Sequence, residues 1–224
     1  MNLPVIKNTL STLLVSALMA VGPAHADDAE MRKEVFANDY VTVNRITLEP
    51  GAGLPLHEGA ARVVYSLSDY TIEWTEDGST TSMDWREGQV HAHAALEHAV
   101  ENTGNTIADL LIVSRTDKPL ADAAAGSDAS TVAGGYGALI ADLDGVRVIR
   151  VALPPGARQP MHGGTARLVY ALNDSELTFV DAAGKARKFT HETGTAHWHE
   201  AGDHAVENTG GETARYVIFA FSQE

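Results

Sequence analysis

The feature that most constrains this chain is that it contains itself twice. The segment His98-Ala99-Val100-Glu101-Asn102-Thr103-Gly104 returns unchanged as His204-Ala205-Val206-Glu207-Asn208-Thr209-Gly210. The match continues backwards. His91-Ala92-His93 answers His197-Trp198-His199, Glu87-Gly88 answers Thr193-Gly194, and Arg62-Val63-Val64-Tyr65 answers Arg167-Leu168-Val169-Tyr170. His57 answers His162, and Pro50-Gly51-Ala52 answers Pro155-Gly156-Ala157. From His57 to His162 the step is 105, and from His98 to His204 it is 106. One residue therefore enters the second copy near the turns at Gly78 and Gly184, the kind of surface loop where insertions are tolerated. Any fold for this chain must be one half-chain unit used twice.

Each unit reads as strands. Tyr40 to Leu48 is rich in β-branched residues and stops at Pro50-Gly51; Arg62 to Leu67, Thr71 to Thr75 and Ala108 to Ser114 are further short β-rich runs. Asp77-Gly78 marks a hairpin between Trp74 and Met83. No convincing helical period occurs apart from a candidate turn at Ala29 to Glu34. Short strands with regular turns predict a small sandwich or barrel in each half. Residues 117–135, rich in Ala, Asp, Ser and Gly, read as a linker.

The N-terminus is of another kind. Lys7 precedes an apolar run from Leu10 to Val21, then Ala24-His25-Ala26, the pattern of a cleavable export signal. The run is shorter than the roughly 20 residues a membrane span needs. The mature chain is expected to start at Asp27, periplasmic or secreted, with no lipid anchor and no later membrane segment. The net charge of −14 disfavours nucleic acid and anionic membrane as partners. With no cysteine, disulfides and thiolate metal sites are excluded.

In Gly51 followed by His57, and in Gly88, His98 and Asn102, the chain resembles the cupin superfamily; Gly194, Gly202, His204 and Asn208 repeat the second motif. The resemblance covers nearly all of the mature chain. It implies an all-β double cupin, two tandem jelly-roll β-barrels at 34–115 and 136–222, joined by a linker at 116–135 after a signal peptide at 1–26. Fold does not fix chemistry, and cupins host many activities. The departures are informative. The second histidine of the family's His-x-His pair is Gly59 here and Gly164 in the copy, and the Glu ligand position falls on Arg62 and Arg167. The double-cupin decarboxylases keep that Glu.

Residues two apart on a strand share a face, so His93 and His199 could join the retained histidines inside each barrel. The candidate metal ligands are His57, His93 and His98 in barrel 1 and His162, His199 and His204 in barrel 2, with His91 and His197 deeper. Three imidazoles with an open position suit a catalytic divalent transition metal, among Fe, Cu, Zn, Mn and Ni. A one-residue change of register would turn His91 and His93 to solvent together. An inward Arg62 or Arg167 would repel a metal but could hold an anionic substrate in a bidentate fork. The other reading of these arginines is an ion pair with Glu58, Glu97 or Asp203. Trp74, Trp85 and Trp198 are expected to pack the barrels, and Tyr65 and Tyr170 to be core or rim. The resemblance implies an exported metal-dependent, oxygenase-like enzyme on a small organic molecule, anionic if the arginines face it. A non-catalytic periplasmic binder of a metal or small ligand is the alternative, and a homo-oligomer stays open.

Overall fold

The computed structural model describes residues 31–120, 128–143 and 145–222. The expected signal peptide at 1–26 lies outside the described residues.

Two jelly-roll barrels account for the described chain. Barrel 1 contains β1 (Arg32–Ala37), β2 (Val41–Leu48), β3 (Gly53–Gly59), β4 (Arg62–Ser66), β5 (Tyr70–Glu76), β6 (Ser79–Trp85), β7 (Val90–His93), β8 (Leu96–Asn102) and β9 (Ala108–Arg115). They form one sheet in the order β1-β2-β9-β4-β7 and a second in the order β3-β8-β5-β6. Barrel 2 repeats the plan with β10 (Gly137–Leu143), β11 (Val146–Leu153), β12 (Arg158–His162), β13 (Arg167–Ala171), β14 (Ser175–Asp181), β15 (Ala186–His191), β16 (Ala196–His199), β17 (His204–Asn208) and β18 (Ala214–Phe221). Its sheets run β10-β11-β18-β13-β16 and β12-β17-β14-β15. The described part of the candidate helical turn at 29–34 is instead extended, because Arg32 to Glu34 pair with β2.

The single inserted residue lies where the repeat places it. The β5–β6 hairpin turns at Asp77 and Gly78, both with positive φ (49° and 71°), the conformation a two-residue primed turn demands. In barrel 2 the last pair is Val180 with Ala186, one residue further apart than Thr75 with Thr80, and Gly184 takes the positive φ.

The five-stranded sheets are apolar on both faces, and the alternation explains why. On β2, Val41 and Val43 point one way and Ile46 and Leu48 the other; on β9, Leu111 and Val113 oppose Leu110. The first set packs against Val148, Leu168, Val217 and Phe219 of barrel 2 in one core shared by both barrels. The second set lines the interior of barrel 1. A strand buried on both faces reads as a continuous apolar run, which is what Arg62–Ser66 and Arg167–Ala171 show. Tyr65 meets Phe219 edge to face at 6.4 Å, and Tyr40 stacks on Trp198 at 5.3 Å across the junction. Tyr65 and Tyr170 are therefore core residues of the barrel–barrel contact. Arg150 reaches over Gly88, and its repeat partner Arg45 reaches over Gly194, so the two barrels meet about an approximate two-fold axis.

The linker expected at 116–135 is partly built into barrel 2. Asp128 accepts from Ser130 and Thr131 and pairs with Arg147, and Ala129 is buried in the second barrel's core.

Candidate functional site

Inward-facing strand positions assemble one polar cluster in each barrel. In barrel 1, β3 supplies His57, β4 Arg62, β5 Trp74, β6 Trp85, β7 His91 and His93, and β8 His98; all seven line one chamber. Simple alternation would turn Leu56 inward with Leu54. A β-bulge between Leu54 and His57 adds one residue, leaving Leu56 59% exposed and setting His57 opposite His98. The same irregularity between Gln159 and His162 leaves Met161 exposed and sets His162 opposite His204. Each ring pair lies at 4.3 Å between centroids.

A buried arginine lies against one ring of each pair. Arg62 is 8% exposed and Arg167 5%. Arg62 Nη2 lies 2.9 Å from His98 Nε2, and Nη1 donates to the Ala60 carbonyl at 2.7 Å. His98 Nδ1 faces the Leu96 carbonyl at 3.1 Å, so it carries the proton, and Arg62 Nη2 lies against the ring, 3.4 Å from Nδ1 as well. Arg167 repeats this with His204 at 3.1 Å and with the carbonyls of Thr165 and Glu200. The expected ion pairs with Glu58, Glu97 or Asp203 do not form; among the described residues neither arginine has a carboxylate partner. Those acids sit on exposed strand edges and loops, while the guanidinium is drawn inside. Gly59 and Gly164 are what let it in: a Cβ at either would collide with the arginine.

Burial sets the charge state. Desolvation, with the neighbouring cations adding to it, pulls His91 down to about 3, His93 to about 4, His199 to about 3 and His204 to about 2. His98 and His162 are lowered for the same first reason. These six imidazoles are neutral at pH 7. Desolvation lowers Arg62, with Glu76 opposing, and takes Arg167 to about 10, still charged.

Each chamber holds imidazole donors of the kind a metal ion takes. Among the described residues no group of three or more His, Cys, Asp or Glu is placed to hold one. The expected sets His57–His93–His98 and His162–His199–His204 share their chambers, each with a guanidinium against one of its rings. The joint exchange of two of the family's donors for Gly and Arg is what brings that cation in. His91 Nδ1 and His93 Nε2 are buried without a partner.

Aromatic rings complete the site. Trp74 stacks on His93 at 4.1 Å and on His98 at 4.2 Å, and Trp85 on His91 at 3.8 Å. Trp198 and Trp85 pack against the cores as expected, while Trp74 and Trp85 also line the chamber. In barrel 2, Phe179 replaces Trp74, and His191 takes the position of Trp85, stacked on His197 at 5.4 Å. His191 escaped the sequence reading because it breaks the repeat. The 106-residue offset from Trp85 is the signal that finds it.

The chambers differ in size. Barrel 1 encloses about 320 Å³ and barrel 2 about 30 Å³.

No protein-family model matches the chain, and no curated protein matches it. Solved structures do. An oxalate decarboxylase variant from Bacillus subtilis aligns with TM-score 0.62 at 16% identity, over 83% of this chain and 70% of that one. The Lactobacillus farciminis oxalate decarboxylase in a formate complex aligns with TM-score 0.61 at 13% identity, over 82% and 78%. AerE from Microcystis aeruginosa aligns with TM-score 0.59 at 14% identity, over 86% and 98%. At such identities the likeness speaks for fold alone, and it spans both barrels: in fold the chain is a double cupin, two jelly-roll barrels in tandem.

Proposed function

We propose that this protein is a metal-independent binder of a small organic anion, with barrel 1 as the binding chamber and Arg62 as the anion's partner. The observation that carries this reading is a buried guanidinium that, among the described residues, makes no ion pair, Glu76 acting on it only from beyond contact, beside a chamber large enough for a ligand. A buried unpaired cation is costly, and an anion entering beside it would relieve that cost. A carboxylate can take two parallel hydrogen bonds from the fork, and burial that keeps His98 neutral leaves the positive charge on Arg62. The test is calorimetric titration of acetate and benzoate into protein dialysed against chelator. One equivalent should bind, and Arg62→Met should weaken it at least tenfold while leaving the fold intact by circular dichroism. Binding that appears only after metal loading would refute the proposal.

A second reading, a metal-dependent oxygenase-like enzyme, is favoured by one observation: His57, His93 and His98 line one chamber, and His93 Nε2 has no partner there. A structural neighbour, Bacillus subtilis oxalate decarboxylase, carries Mn(II) centres. This reading requires Arg62 to leave His98. About two metal equivalents in the purified protein, lost in His98→Ala/His204→Ala, would favour it over the binder. The export-signal pattern of the 1–26 segment supports a periplasmic or secreted location for either activity; an N-terminus at Asp27 in the exported protein checks this.

A further inference from the structure

The repeat predicts two equivalent sites, but the chambers have diverged. Phe179 and His191 are smaller than Trp74 and Trp85, yet four other inward positions are larger or bonded in barrel 2. Leu110 becomes Tyr216, Leu54 becomes Gln159, Met83 becomes Phe189 and Asn44 becomes Ile149. Tyr216 donates to Gln159 Oε1 at 2.8 Å, and Gln159 Nε2 is bonded to the Gly135 carbonyl, so the plug is pinned to the segment entering barrel 2. The remaining 30 Å³ has room for about one water.

Barrel 1 keeps its space, and its walls are sorted. Arg62, His57 and His98 lie together, while Ile46, Leu48, Leu54, Ile72 and Leu110 form an apolar floor, with Thr42, Asn44, Tyr70 and Ser114 also in the lining. An enclosed apolar surface of this kind gains nothing from a fully polar ligand. A chamber of 320 Å³ is at the small end of organic-ligand pockets.

Taking Arg62 as the anion's partner, we propose that the ligand is a monocarboxylate with an apolar body of several carbons. Its carboxylate lies on Arg62 and its body on the Leu54–Leu110 floor, one per chain, with barrel 2 closed to it. Barrel 2 serves as the wall against which the five-stranded sheet of barrel 1 is held.

The experiment titrates the full chain with acetate, butanoate, hexanoate and octanoate, followed by calorimetry and tryptophan fluorescence, since Trp74 and Trp85 line the chamber. Affinity should rise about fourfold per methylene until the chamber is full, as each CH₂ leaves water. Saturation should come at one equivalent. Leu54→Gln/Leu110→Tyr should abolish the length dependence. Gln159→Leu/Tyr216→Leu should open a second equivalent. A length-independent series with acetate still bound would overturn this inference and leave Arg62 as the anion's partner. Two equivalents in the parent would overturn the closure of barrel 2. Binding by no member of the series would remove the Arg62 reading and this one together. Length-dependent binding surviving Arg62→Met would keep the apolar chamber and remove only the Arg62 reading. The ligand series on the parent decides the point even if the variants fold poorly.

Discussion

Asn102 and Asn208 explain why seven residues recur without change. Each is fully buried. Asn102 Nδ2 donates to the carbonyls of Leu48 and Thr106 at 2.8 Å, and its Oδ1 accepts from Gly104; Asn208 does the same with Leu153, Glu212 and Gly210. One amide side chain thus ties the end of a front strand, the following turn and its own loop. No other residue offers two donors and an acceptor in that shape. Asn208→Ala should cost about 2–3 kcal/mol in urea unfolding, at roughly 1 kcal/mol per lost bond; a cost below about 0.5 kcal/mol would show the corner to be held by something else. Gly59 and Arg62 form a second residue-scale pair, since only a missing Cβ leaves room for the guanidinium beside His98.

At the scale of elements, the sheet formed by β1, β2, β9, β4 and β7 does two tasks. Its odd-numbered residues on β2, β4 and β9 bind the neighbouring barrel and its even-numbered ones line the chamber. Damage to the junction must therefore be felt in both barrels. Phe219 is fully buried among Tyr65 and residues of both halves. Phe219→Ala should destabilise by about 3–5 kcal/mol, as large core truncations do. Near-ultraviolet and tryptophan signals should shift together, because Trp74 and Trp85 report barrel 1 while the substitution lies in barrel 2. Two separated transitions would mean that the barrels fold independently. The bulges of β3 and β12 belong to this scale too: each moves one histidine to the inside at the expense of Leu56 or Met161.

Across the whole molecule, the buried imidazoles make stability depend on pH. In the unfolded chain these groups take up protons as pH falls through 6.5, whereas the folded protein withholds them until about 4 for His93 and His191, about 3 for His91 and His199 and about 2 for His204. Between those limits the unfolded state binds more protons, so stability falls as pH drops below 6.5 and continues to fall toward about 3. Each fully withheld proton contributes about 1.4 kcal/mol per pH unit. The urea midpoint should therefore fall steadily from pH 7 to pH 5. A midpoint that holds constant over that range would contradict neutral, buried histidines. The asymmetry of the chambers is a whole-molecule property as well, since it combines substitutions on β11, β12, β15 and β18.

By itself the sequence determined the duplication, the strand content, the division into two barrels and the matched candidate histidines. Those follow from local periodicity and exact recurrence, which a single chain displays directly. It left open whether His91 and His93 face the interior, which partner Arg62 and Arg167 would choose, and what the tryptophans do. These depend on register and on residues far apart in the chain. Two bulges reset the phase of β3 and β12, Gly59 admits a guanidinium from three residues on, and Tyr216 meets Gln159 from another sheet. The repeat suggested two like sites. Only close packing, where a few side chains convert 320 Å³ of space into 30 Å³, decided that the two interiors are unlike.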